Sequence, residues 1–268
     1  MDILNLENIT KHLKNGARSK KIIFLKETGS TNIDLIKLLK ENKVDNKTVV
    51  IADMQTLGRG RLGKSFFSPP GKGIYLSYLL KPENEALYNT VWTAITCCSA
   101  VAVANAVKKI SSAAPDIKWV NDLYMNGKKI CGILTQAELF PTGNRINGIV
   151  VGIGVNVNGK AEDFPEELRA VASTLEIESG KEYDRAKLAA YIIEEMDILC
   201  ESFPSCQSVY LESYKKSCIV IGKNISVITQ SGTRAAKALD ITDNFSLRVK
   251  YENDELEDLS GGEISIKF

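Results

Sequence analysis

Histidine is nearly missing from this chain: His12 is the only one in 268 residues. The six cysteines show no C-x-x-C spacing, and two of them, Cys97 and Cys98, are adjacent. Neither a zinc site nor a secreted disulfide framework is therefore expected, and reduced thiols in a cytoplasmic setting fit better. An excess of one charge sign is missing too. Lys and Arg number 34 against 33 Asp and Glu, a net charge of +1, so no global field exists to gather nucleic acid or anionic lipid. Long apolar runs are also lacking. The best of them, Val91 to Val107, is broken by Thr93, Thr96, Ser99 and Asn105 and is short for a bilayer, so it reads as a buried helix. The opening "MDILNLENITKHLK" carries acids and polar residues where a signal peptide is apolar. No internal repeat or low-complexity tract occurs. No membrane and no nucleic-acid partner is expected, and any cationic function must be local.

The chain is 44% hydrophobic, enough for a substantial core. Leu6, Ile9 and Leu13 have near-helical spacing, so the first dozen residues read as a small amphipathic helix. "KIIFLKETGSTN" reads as a strand ending in a turn, and "IDLIKLLKEN" as a helix starting near Asn32. "TVVIADMQ", "GIYLSYLL" and "GIVVGIGVNV" read as strands, and "DIKWV" and "KICGILTQAEL" as strands flanking a turn at Asn126-Gly127. "DRAKLAAYIIEEMDILCESF" is a long amphipathic helix with Leu188, Ile192, Met196 and Leu199 on one face. From about Ile219 short strands alternate with turn residues, as expected of a separate small barrel. Residues 218–268 hold 6 basic and 8 acidic residues, a poor composition for a nucleic-acid module. The expected division is residues 1–217 and 218–268.

Residues 58–65, "GRGRLGKS", satisfy the P-loop pattern Gly, any four residues, Gly, Lys, Ser or Thr. A P-loop needs a long helix immediately after it, whose N-terminal N–H groups complete the phosphate cradle. Here "FFSPPGKG" follows, and two prolines and two glycines cannot continue a helix. The local charge tells more. From Met54 to Pro82 there is no acid, while Arg59, Arg61, Lys64, Lys72 and Lys81 all fall in that window. Glycines at 58, 60 and 63 let backbone N–H groups and guanidinium forks approach an anion closely. A solvated surface loop is the alternative.

"GSTN" at 29–32, "ADMQTLGRGRLGKSF" at 52–66, "KWVNDLY" at 118–124, "KKICGIL" at 128–134, "VGIGVNVN" at 151–158 and the final "GGEISIKF" occur in the order and spacing of biotin protein ligases. The chain resembles that family from about Lys21 to Phe268, in the monofunctional form without an N-terminal winged helix. The resemblance implies an α+β fold: a catalytic domain like class II aminoacyl-tRNA synthetases, with a mixed sheet and flanking helices, then an SH3-like barrel. It implies that biotin and ATP with Mg²⁺ form biotinyl-5′-AMP, and that biotin then passes to one lysine of a biotin carboxyl carrier domain. On that likeness Ser30, Thr31, Asn32 and Gln55 contact biotin, with Arg59, Gly60, Arg61 and Lys118 about its carboxylate. Arg61 and Lys118 carry catalysis. Arg59, Arg61, Lys64, Phe66, Asn121, Lys128, Asn156 and Lys267 serve the nucleotide. No side chain is assigned to the metal, and a homodimer stays open. Four positions depart from the usual pattern: Lys64 for Arg, Phe66 for Trp, Val120 for Pro and Gln136 for Glu.

The residues suit that chemistry. A carboxylate approaching an α-phosphorus brings two anions together, and cations must offset their repulsion. No general base is required, since the nucleophile is already ionised. The attacking lysine of the second step does need help from a base or from desolvation. Loop residues Leu57 to Phe66 are expected to be mobile when empty and to close over the adenylate. Read without the resemblance, Ser30 and Thr31 are a turn and helix cap, Trp119 is core, Asn121-Asp122 is a turn, and Gly152 and Gly154 serve strand packing. A lipoate ligase would share the chemistry, but its Arg-rich, Gly-Gly-Gly segment is missing here. A repressor would need a winged helix, and 29 residues precede Ser30, so no operator binding is expected.

Overall fold

The computed structural model describes residues 3–14, 21–81, 92–140, 145–229 and 232–266. A seven-stranded mixed sheet lies at the centre. Its strands are β1 (Ile22–Leu25), β2 (Val49–Ala52), β3 (Gly73–Leu80), β4 (Asp116–Lys118), β5 (Asp122–Met125), β6 (Lys128–Leu139) and β7 (Ile146–Asn156). Their order is β1-β2-β3-β7-β6-β5-β4, with β1 and β2 parallel and every other pairing antiparallel.

Period-two alternation divides the apolar residues between the two faces of this sheet. Val50, Leu79 and Val150 point one way and pack with Leu35 and Leu39 of helix α2 (Thr31–Lys40). Their strand neighbours Ile51, Tyr78 and Val151 point the other way. There they meet helices α3 (Trp92–Ser111) and α5 (Arg185–Ser202). Covered on both sides, β2 and β3 are buried at every residue, which is why they read as unbroken apolar runs. Helix α1 (Leu6–His12) starts on an Asn5 cap and lies against α5. The short α4 (Leu175–Ser179) and α6 (Gln207–Ser217) complete the α-helices among the described residues.

Two features differ from the sequence reading, and the buried-helix reading of the apolar run holds. The Asn126-Gly127 turn joins β5 to β6, and "DIKWV" contributes β4, a further strand beyond β5. Helix α6 escaped notice because its "QSVYLESYKKS" carries two buried residues, Tyr210 and Tyr214, and so lacks a strong apolar stripe. The segment Thr93–Ser111 is long and apolar enough to cross a membrane by composition, yet 61% of it is buried within the fold.

The last five strands form a second, antiparallel sheet: β8 (Asn224–Thr229), β9 (Gly232–Ile241), β10 (Leu247–Tyr251), β11 (Leu256–Leu259) and β12 (Glu263–Ser265), in the order β11-β10-β9-β8-β12. Its apolar face continues the main core. Trp119 Nε1 donates to Phe245 O at 3.0 Å, and the Tyr214 and Phe245 rings meet edge to face with centroids 6.0 Å apart.

Candidate active site

Between β2 and β3 the chain leaves the sheet and returns as a narrow strap. Gln55 N donates to Ser68 O (3.2 Å), Phe66 N to Gly58 O (2.9 Å) and Gly60 N to Lys64 O (2.7 Å), so the segment is a twisted hairpin. Its tip, Arg61–Gly63, is one 3₁₀ turn with Leu62 at φ 54° and Gly63 at φ 76°. No helix follows Ser65, so the P-loop match is a coincidence of letters. Gly58 is required by close approach: a Cβ there would lie 2.3 Å from Phe66 O.

The strap roofs a cavity of about 420 Å³, within the range of small-molecule sites. Ser30, Thr31, Asn32 and Gln55 line one end, and Arg59, Gly60, Arg61 and Lys64 come from the strap. Phe66, Lys118, Asn121 and Asn156 complete the set of expected residues that face it.

The floor at the α2 end is a connected polar network. Thr31 N and Oγ1 both donate to Gln55 Oε1, at 3.0 and 3.1 Å, while Gln55 Nε2 donates to Ser68 Oγ at 3.0 Å. Ser77 Oγ, wholly buried on β3, lies 2.8 Å from Thr31 Oγ1 and 2.5 Å from Asn32 Oδ1. Asn32 Nδ2 donates to Gln136 Oε1 at 2.7 Å and to Leu134 O at 3.3 Å. The Asn32 amide is thus occupied by protein on both sides. These bonds fix the orientation of Asn32 on the cavity lining, where its expected contact with a ligand stays an expectation. Ser30 sits at the helix N-cap position, but its hydroxyl makes no capping bond, so the simple cap reading does not describe it.

The cationic side is held from three directions. Arg61 Nη1 donates to Asn121 Oδ1 at 3.0 Å and Arg61 Nη2 to Gly262 O at 2.8 Å, while Lys64 pairs with Glu263. Asn121 in turn donates to Ile133 O at 2.7 Å. In this structure, then, Asn121 anchors the Arg61 guanidinium. Lys118 Nζ lies 5.6 Å from the Tyr124 ring centroid. Burial holds its pKa below the ordinary lysine value, opposed by the Asp122 carboxylate and aided by the positive charge of Lys129. Asn156 Nδ2 donates to Ser173 O at 3.1 Å on the cavity wall.

Lys128 does not face the cavity; its Nζ donates to Arg169 O at 3.3 Å. Lys129 takes that place, 2.8 Å from Asp122 and lining the wall. Successive strand residues point to opposite faces, so a one-residue offset exchanges inside for outside. A register shift in β5 between Leu123 and Tyr124 then sets Lys129 opposite Tyr124. Lys267 lies outside the described residues. The sequence reading also missed Ser77, Lys129 and Glu263; "KKICG" did signal a lysine, but not which of the two. Gly152 and Gly154 prove to make room for site residues. A Cβ at 154 would lie 2.5 Å from the Phe66 ring, and one at 152 would lie 2.2 Å from Asn32 Oδ1.

Residues 24–156 match the biotin/lipoate A/B protein ligase family. The bifunctional ligase/repressor BirA of Bacillus spizizenii is 36% identical over 210 residues, 76% of this chain and 62% of that protein. The chain thus spans about 62% of the length of that relative. The biotin--[acetyl-CoA-carboxylase] ligase of Mycobacterium tuberculosis is 25% identical over 81% of this chain and 78% of its own. Among solved structures, the biotin protein ligase from Aquifex aeolicus in complex with biotin and ATP superposes with a TM-score of 0.77 at 28% identity. That match covers 92% of this chain and 98% of the other. With a mixed sheet of the same form and the matched segment running from β1 to the end of β7, the chain belongs to the biotin/lipoate A/B protein ligase family.

Proposed function

We propose that this protein is an ATP-dependent biotin ligase that makes biotinyl-5′-AMP and transfers biotin to a lysine of a biotin carboxyl carrier domain. One observation carries the reading: an acid-free strap bearing Arg59, Arg61 and Lys64 roofs a cavity whose far end is an uncharged hydrogen-bonding floor. A ligand with a polar, neutral head and an anionic tail fits that division. In the first step a carboxylate oxygen attacks the α-phosphorus and pyrophosphate leaves. Arg59, Arg61, Lys64, Lys118 and Lys129 offset the charge gathered there. In the second, a neutral lysine amine attacks the acyl carbon, its proton is lost and AMP departs.

Mg²⁺ would arrive with the nucleotide. Among the described residues no three His, Cys, Asp or Glu side chains cluster as metal ligands, which suits an ion held mainly by phosphates and water. It would neutralise phosphate charge. We also assign residues 1–217 to a catalytic unit like class II synthetases and residues 218–268 to an SH3-like unit. The six free cysteines, four of them buried, suit a reducing cytoplasm.

The test supplies the protein with biotin, labelled ATP, Mg²⁺ and an apo carrier domain, with lipoate in a parallel reaction. Pyrophosphate release with biotin alone, followed by biotin on one carrier lysine, is the expected result. Release with lipoate and none with biotin would overturn it.

A further inference from the structure

Arg185 is buried, only 3% exposed, although it opens helix α5. A cation at a helix N-terminus lies against the helix dipole, and burying it adds a desolvation cost, so its surroundings must compensate. Its Nη1 donates to Asp53 Oδ1 at 2.7 Å and lies 3.2 Å from Gly73 O. Asp53 Oδ1 also accepts from Gly71 N at 3.3 Å.

Those contacts join both roots of the strap. Asp53 is the residue after β2, where the chain leaves the sheet, and Gly71 to Gly73 is where it re-enters at β3. The returning root has little steric freedom: Gly71 has φ 73°, and a Cβ on Gly73 would lie 2.6 Å from Tyr75 Oη. Tyr75 Oη donates to Pro69 O at 2.9 Å, and its ring meets Phe66 edge to face at 6.5 Å. Tyr75 and Phe66 both line the cavity. Contact therefore runs unbroken from Arg185 through the strap roots to the cavity wall. Asp53 is also the acid immediately before the acid-free window. Its charge is matched by the Arg185 guanidinium at 2.7 Å.

We propose that Arg185 and Asp53 are a positioning pair that fixes both roots of the strap, and through them the placement of its cations over the cavity. Neither residue lines the cavity. The kinetic readout rests on the ligase reading above; a second readout does not.

The variants are Asp53→Asn, Arg185→Lys and Arg185→Met. Adenylate formation is followed by pyrophosphate exchange, and trypsin cleavage after Arg59, Arg61 and Lys64 is timed well below each variant's melting temperature. Asp53→Asn and Arg185→Met should raise KM for biotin and ATP about tenfold and speed strap cleavage, with Arg185→Lys recovering part of both. A lower melting temperature with KM and cleavage unchanged would assign the pair to stability alone and overturn the proposal. If Arg185→Met does not fold, Asp53→Asn and Arg185→Lys decide. If the parent protein forms no adenylate, the ligase reading falls and trypsin alone decides: equal cleavage in Asp53→Asn and parent overturns the pair's role.

Discussion

At the scale of single residues, space and charge decide what each position does. Gly154→Ala would drive a methyl into the Phe66 ring, and overpacking of that kind costs about 1–3 kcal/mol. Because Phe66 can swing toward the cavity, the expected result is a raised KM for ATP about tenfold or more with a smaller loss of stability. Steady-state kinetics beside urea unfolding separates the two. Lys118 offers a test by pH. Burial favours its neutral form, so the folded protein releases this proton before the unfolded chain does. The folded state then binds fewer protons in the window just below the ordinary lysine value of 10.5. Stability therefore gains from Lys118 as pH rises through that window. On the proposed ligase function, in which Lys118 acts as a cation, adenylate formation should fall there instead. Lys118→Arg keeps its charge at those pH values and should move the alkaline fall in rate upward; an unmoved limb would remove Lys118 from the charge-neutralising set.

At the scale of elements, the strap is the part whose state is balanced. Lys64 and Glu263 are 63% and 34% exposed at their side chains, and such pairs are worth about 0–1 kcal/mol. The two hydrogen bonds of Arg61 add about 1.5–3 kcal/mol each at most, as bonds from a charged donor. On the proposed function, an acyl-nucleotide offering several anionic oxygens would compete for these cations with charge-assisted bonds of its own. Biotin with ATP should accordingly slow trypsin cleavage at Arg59, Arg61 and Lys64 severalfold, and equal rates with and without ligands would leave the strap with no closing role. Salt should weaken the Lys64 latch sooner than the backbone bonds of the hairpin.

At the scale of the whole molecule, the two sheets share one apolar interior. Phe245 comes from the second sheet, is wholly buried, and meets Tyr214 as well as the Trp119 indole. Ile219 N donates to Ile117 O at 3.0 Å, adding a backbone tie to β4, which ends at Lys118. Phe245→Ala should cost about 3–5 kcal/mol, and the loss should reach the cavity. A single shifted unfolding transition, seen alike by Trp fluorescence and far-UV circular dichroism, is expected, together with a higher KM for ATP. Two separate transitions, with the first sheet's unchanged, would show that the sheets fold independently.

Much of this was legible in the chain itself. Local pattern gave the long helices, the buried strands and the Asn126-Gly127 turn, because hydrophobic period and turn chemistry are properties of neighbours in sequence. The acid-free strap and its glycines were visible as composition, and six ordered motifs pointed to the family. Tertiary structure alone decided which side chains meet. Strand parity and a register shift turned Lys129 inward and Lys128 away, buried Ser77 and half-buried Gln136 took up the Asn32 amide, and α5 brought Arg185 to Asp53 across 132 positions. Such contacts are set by how faces pack rather than by spacing along the chain, so no window of sequence contains them.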